Sequence, residues 1–182
     1  MSIFITDSIK MRFEKKSRCI MLGLDAAGKT TIICRLLPDE PVSTFPMECF
    51  LVQKIKYKGF EIDVWDVGAQ DCNRAHLCNY FAETQCLIFV VDSDDIYRID
   101  EAREELHKLF KEEEELRDAV LLVFANKQDL QRAVKPKELE KRLELNKISE
   151  HEWKIQGSCA KTGEGIIEGF NWLEEQINKK FK

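Results

Sequence analysis

Gly23-Leu24-Asp25-Ala26-Ala27-Gly28-Lys29-Thr30 matches the phosphate-binding spacing G-x-x-x-x-G-K-[ST] in full. Glycines at its two fixed positions allow a tight turn in which successive backbone N–H groups converge on phosphate oxygens. Lys29 brings an ammonium to the β- and γ-phosphates, and the Thr30 hydroxyl suits Mg²⁺. The flanks agree with this reading. Arg18-Cys19-Ile20-Met21-Leu22 reads as a buried strand, and Thr30–Leu37 as a helix whose N-terminus faces the anion. The chain is expected to bind a nucleotide.

Composition bounds the rest. A length of 182 residues, 44% hydrophobic and 34% charged, suits one soluble globular domain with at most an appendage. A net charge of -5 argues against nucleic acid as the main partner. The longest apolar runs, Cys86–Val91 and Ala119–Ala125, are strand-length, and Ile3–Ile5 is too short for a secretory h-region. The seven cysteines include no C-x-x-C pair. Cys19 and Cys86 lie in apolar runs and are read as reduced small hydrophobes, which places the protein in a reducing cytoplasm.

Residues 1–17 stand apart from the nucleotide-binding domain expected at 18–182. Ile5, Ile9 and Phe13 recur at helical spacing, and Lys10, Arg12, Lys15 and Lys16 make the stretch basic. It reads either as an amphipathic helix in weak peripheral contact with an anionic membrane or as a helix docked on the domain. The opening nearly fits the myristoylation pattern, but Ser2 stands where the acceptor glycine is needed, so no acylation is expected. Next come a proline-punctuated loop from Pro38 to Cys49, a hairpin of Phe50–Tyr57 and Phe60–Asp66, and a short helix near Asn73–Phe81. A buried strand Cys86–Val91 precedes a long helix from Ile96 to Phe110, with Glu112–Glu115 as its solvated end. Val120–Ala125 is a strand, Pro136–Leu145 a helix, Trp153–Gln156 a strand, and Ile166, Phe170, Leu173 and Ile177 mark a final helix. Strands alternating with helices predict an α/β fold with a mostly parallel sheet, helices on both faces and a ligand at the strands' carboxyl ends.

Asn126-Lys127-Gln128-Asp129 selects the base. A carboxylate such as Asp129 accepts two hydrogen bonds from guanine N1–H and its 2-amino group; adenine offers no such donor pair. The Lys127 stem can cover the base, and Asn126 can bond both base and neighbouring loop. From Ser158-Cys159-Ala160-Lys161, the Ala160 N–H can reach guanine O6.

Together with Trp65-Asp66-Val67-Gly68-Ala69-Gln70-Asp71 and Ser158-Cys159-Ala160-Lys161-Thr162-Gly163-Glu164-Gly165, these motifs resemble the Arf and Arf-like (ADP-ribosylation factor) small GTPases over essentially the whole chain. The resemblance implies a six-stranded small-GTPase sheet with one antiparallel hairpin strand, and GTP or GDP with Mg²⁺ as ligands. It further implies a switch run by exchange factors, activating proteins and effectors in vesicle traffic at endomembranes such as the Golgi. A monomer is expected. Carried over, the nucleotide contacts are Gly23, Leu24, Asp25, Ala26, Ala27, Gly28, Lys29, Thr30, Thr31, Asp66, Gly68, Ala69, Asn126, Lys127, Asp129, Cys159 and Ala160. Thr30 and, through water, Asp66 would hold Mg²⁺, and Gln70 would orient the attacking water. Phe50 and Trp65 match aromatic positions that effectors read; Leu77 replaces the third.

The departures fall on the γ-phosphate sensors. Pro46-Met47-Glu48-Cys49 replaces Pro-Thr-Ile-Gly, and Ala69 replaces a glycine. Three readings follow: a cycling Arf-like GTPase signalled by Gln70, a guanine-nucleotide-binding module with little or no hydrolysis favoured by Met47 and Ala69, and an ATP-dependent P-loop kinase, against which Asn126–Asp129 argues.

Overall fold

The computed structural model describes residues 17–37, 43–46, 51–57, 60–66, 81–148 and 151–181, with backbone alone at 43–46, 51–52 and 65–66. The strands are β1 (Ser17–Leu22), β2 (Ser43–Pro46), β3 (Leu51–Tyr57), β4 (Phe60–Asp66), β5 (Cys86–Asp92), β6 (Val120–Asn126) and β7 (Trp153–Gly157). The helices are α1 (Lys29–Leu36), α2 (Ile99–Glu112), α3 (Pro136–Arg142) and α4 (Ile166–Lys180). No described helix is long and apolar enough to cross a membrane.

The strands form one sheet in the order β2-β3-β4-β1-β5-β6-β7. Pairing is parallel from β4 through β7 and antiparallel at β3–β4 and β2–β3. The small-GTPase sheet expected from the sequence is therefore present, with β2 added at its edge. Ser43–Pro46 falls inside the stretch read as loop, because four residues with no alternating pattern give no strand signal of their own. They become a strand by pairing with the free edge of β3, from Ser43 opposite Lys54 to Pro46 opposite Leu51. After β1 the chain passes to the β2 edge, runs inward through β3 to β4, and then crosses β1 to β5, β6 and β7; this reversal opens a crevice at the strands' carboxyl ends.

Residue alternation along β1, β5 and β6 builds a separate core on each face. Ile20, Leu87, Phe89, Leu121 and Val123 pack under α2 and α3 with Ala102, Leu106 and Leu139. Met21, Ile88, Val90, Leu122 and Phe124 pack under α1 and α4 with Ile32, Ile33, Phe170 and Leu173. The all-apolar reading of β5 and β6 follows from this double covering.

Four local expectations are corrected. The long helix begins at Ile99, not Ile96, and Ile96 is exposed. A turn is the reason: Arg98 N bonds Asp95 O at 3.2 Å and Ile96 N bonds Asp94 O at 3.1 Å, so a separate turn occupies Ile96 and Tyr97, which helical spacing had claimed. Beyond Glu112 the acidic run is not simply solvated, since Glu113 is buried and Glu114–Leu116 winds into a 3₁₀ turn that buries Leu116. α3 stops at Arg142, and Glu144 at φ 52° redirects the chain into a 3₁₀ turn, Leu145–Lys147, that sinks Leu145 into the core. Lastly, Cys19 and Cys86 are not separate thiols. Parallel register sets them side by side on β1 and β5 with Cα atoms 4.7 Å apart, and they are joined by a disulfide. The segment 1–16, the helix near Asn73 and positions Met47, Phe50 and Leu77 lie outside the described residues.

Phe170 anchors α4 to the sheet. Its ring centroid lies 5.4 Å from that of Tyr57, 6.2 Å from Phe60 and 6.0 Å from Phe124. Phe170→Ala leaves a cavity where three strands meet, and urea unfolding is expected to show a loss of about 3–5 kcal/mol.

Candidate nucleotide site

The Gly23–Gly28 loop leaves the carboxyl end of β1 and turns into α1. Gly23 has φ 141°, and a Cβ there would sit 2.2 Å from the Val90 carbonyl oxygen. Gly28 has φ 101° and caps α1 with no side-chain hydrogen bond; a Cβ on it would lie 2.4 Å from Asn126 Nδ2. Only glycine fits both places, and the uncapped first turn of α1 presents its N–H groups toward the loop's interior. No acidic residue occupies that turn. Lys29 is buried, and its Nζ donates to the carbonyls of Gly23 and Leu24, each at 2.9 Å, so the ammonium is held under the loop. Thr30 and Thr31 are exposed at the mouth.

The second half of the site comes from β6 and β7. Asn126, the last residue of β6, is 1% exposed. Its Nδ2 donates to Ala27 O at 2.8 Å, while its Oδ1 accepts from Ala160 N at 3.0 Å and from Ser158 Oγ at 3.3 Å. One amide thus ties the phosphate loop to the loop after β7. The Ala160 N–H, expected to face a base, donates to Asn126 here. The neighbouring Cys159 is buried, with its N–H bonded to Glu164 O at 3.0 Å. On the helix side Arg35 of α1 donates to the Lys161 carbonyl.

Lys127 takes φ 66°, turning the chain sharply so that Gln128 N reaches Ser158 O at 3.0 Å. Its Nζ donates to Asp92 Oδ2 at 2.6 Å, which fixes the head of the side chain on the β5 end. Asp129 is exposed, and no described residue pairs with it. Its carboxylate is free to accept from a ligand.

Sequence reasoning missed Asp92 and Arg98. Asp92 lies opposite Asn126 in the β5–β6 register, a position set by pairing. Arg98 Nε bonds Asp95 Oδ2 at 2.7 Å, and its Nη1 bonds Asp25 Oδ1 at 2.6 Å. These bonds raise the arginine's pKa and lower that of the Asp95 carboxyl below the usual carboxylate range. Asp66 ends β4 with its backbone paired to Leu51, whereas Gly68, Ala69 and Gln70 lie outside the described residues.

The sequence model of the ADP-ribosylation factor family matches residues 4–177. The chain belongs to the Arf family. A solved structure of similar fold is the Arl6 (BBS3) small GTPase of Trypanosoma brucei, determined with the nucleotide analogue GppNp. It is 29% identical, with a TM-score of 0.76 over 90% of this chain and 98% of that one. Family membership and this likeness make the present chain a GTP-binding switch of the small-GTPase class.

The two polar ends of the site should separate in their effects on stability. Asn126→Ala strands the Ala27 carbonyl and the Ala160 N–H in a buried setting, and a loss of about 1–3 kcal/mol in chemical unfolding is expected. Asp129→Ala, at an exposed and unpartnered carboxylate, is expected to leave the same unfolding curve within about 0.5 kcal/mol of the parent.

Proposed function

We propose that this Arf-family protein selects guanine through Asn126, Lys127 and Asp129 and acts as a nucleotide switch in intracellular vesicle traffic. The observation that carries the base assignment is the exposed, unpartnered carboxylate of Asp129 beside the Lys127–Asp92 pair. A carboxylate left open at that point rewards a ligand with two adjacent donors and penalises one without them. The phosphates would lie along Gly23–Thr31, against the N–H groups that open α1 and within reach of Lys29.

The residues present suit Mg²⁺. Thr30 is exposed beside Lys29, and no group of three acidic, histidine or cysteine side chains placed to hold a metal ion exists among the described residues. The ion would be held by the Thr30 hydroxyl, phosphate oxygens and water, with Asp66 reaching it through a water. When bound, Mg²⁺ neutralises charge on the β- and γ-phosphates. Gln70 would then orient the attacking water, and catalysis is positioning rather than covalent chemistry. Met47 and Ala69 bear on this step. A thioether is a poor substitute for a hydroxyl as a hard-ion ligand. The Ala69 methyl restricts a backbone that glycine would leave free to aim its N–H at the γ-phosphate. The second reading, a guanine-nucleotide-binding module with little hydrolysis, rests on those two residues. Exchange factors, activating proteins and effectors act on Arf-family GTPases generally. For this chain we add a cytoplasmic location, which rests on the family alone because Cys19 and Cys86 are paired, and weak, reversible contact of residues 1–17 with endomembranes, the Golgi among them, supported by the basic, amphipathic pattern of that segment.

Competition against labelled GDP tests the base assignment. GTP and GDP are expected to compete, ATP is not, and Asp129→Asn should weaken guanine nucleotides at least tenfold while gaining affinity for xanthine nucleotides; equal competition by ATP refutes it. Single-turnover hydrolysis separates the two functional readings. The parent is expected to fall below the slow intrinsic rate of small GTPases, on the order of 10⁻⁴ per second, with Met47→Thr plus Ala69→Gly restoring it. A parent already as fast as the double variant would mean the γ-phosphate sensors are intact.

A further inference from the structure

Asp25 is a carboxylate inside a loop meant for anions, which is electrostatically the wrong charge there. Its position makes the matter acute. Lys29 serves the β- and γ-phosphates, and its Nζ rests on the carbonyls of Gly23 and Leu24, the two residues immediately before Asp25. The Asp25 end of the loop is therefore the γ-phosphate end. Arg98, 73 residues away, meets this carboxylate with Nη1 at 2.6 Å and also donates from Nη2 to the Asp25 carbonyl at 3.2 Å. The guanidinium is itself held from behind by Asp95 at 2.7 Å and by its place at the start of α2, where Ala102 N bonds Arg98 O at 2.9 Å. The next residue, Ala26, has φ 58°, a left-handed conformation that a non-glycine residue keeps only when its neighbours fix it. Asn126 fixes the far side through Ala27 O, and Arg98 fixes the near side through Asp25 O.

We propose that Arg98 is a positioning residue that neutralises Asp25, holds the first half of the phosphate loop, and so sets how well the site accepts a triphosphate relative to a diphosphate. The inference rests on the guanine-nucleotide reading above. A planar fork that serves a side chain and a backbone carbonyl together is a task for arginine; a lysine can supply the charge but not both bonds. Without Arg98 the Asp25 carboxylate repels added negative charge, and the γ-phosphate feels this more than the α- and β-phosphates do. At water-like dielectric and a few ångströms, such repulsion is about a kcal/mol, or roughly fivefold in affinity.

The test compares the full-length protein with Arg98→Gln, Arg98→Lys, Asp25→Asn and the double change Arg98→Gln with Asp25→Asn. Fluorescent GDP and a non-hydrolysable fluorescent GTP analogue are titrated separately, and thermal midpoints and amide exchange of residues 23–28 are recorded without nucleotide. Arg98→Gln is expected to weaken the triphosphate about three- to tenfold, to weaken the diphosphate clearly less, and to speed amide exchange across the loop. Adding Asp25→Asn should restore the triphosphate affinity, since the repelling charge is gone, but not the slow exchange, since the tether to the carbonyl is still missing. Arg98→Lys should recover the affinity in part. Equal losses for the two nucleotides, or no recovery in the double variant, would reduce Arg98 to a structural contact and overturn the proposal. If the unaltered protein binds neither guanine nucleotide, the underlying reading fails and the proposal with it; unchanged exchange in Arg98→Gln would overturn the tether independently of any nucleotide.

Discussion

The Asn126 side chain is the constraint on which the rest of the site depends. Its amide donates to one loop and accepts from another, and at 1% exposure it has no water with which to replace either bond. Three segments distant in sequence, 23–28, 126–129 and 158–161, are held in one arrangement by a single planar group. The geometry also explains a glycine: Gly28 must be bare because Asn126 Nδ2 occupies the place a Cβ would take. Side chain and missing side chain are two halves of one contact.

Around this centre three cations are committed. Lys29 is bonded to loop carbonyls, Lys127 to Asp92, and Arg98 to Asp25 and Asp95. Committed cations give the crevice a fixed electrostatic shape, so little has to reorganise when an anion arrives. The exposed carboxylate of Asp129 pairs with no described residue, and in the proposed function it is the acceptor for the base. Rigidity below and an open acceptor above suit a site that must discriminate bases while holding phosphates tightly.

The sheet supplies the platform. Parallel strands β1, β5 and β6, buried on both faces, end together at the crevice, so the residues after each of them arrive at one edge. The disulfide between Cys19 and Cys86 lies within this platform, between the strands that lead to the phosphate loop and to Asp92. At the other edge β3 and β4 carry charged cross-strand pairs, Lys54–Asp63 and Lys56–Glu61, where the central strands carry apolar residues. The sheet thus changes from core to surface across its width.

Much of this was legible in the chain itself, for a physical reason. The phosphate-loop spacing, the buried runs of β5 and β6, and Asn126-Lys127-Gln128-Asp129 are local patterns in which neighbouring residues specify backbone shape and chemistry together. Strand boundaries followed to within a residue where the pattern was strong, as in Phe60–Asp66 and Cys86–Asp92. Tertiary structure decided what depends on register and reach. Ser43–Pro46 is a strand only because β3 offers an edge, and Cys19 meets Cys86 only because parallel pairing aligns them. Ile96 lies in a turn closed by Arg98 N on Asp95 O, and Arg98 finds Asp25 across 73 residues. Periodicity records which face a residue occupies; it carries no record of the partner awaiting it across the fold.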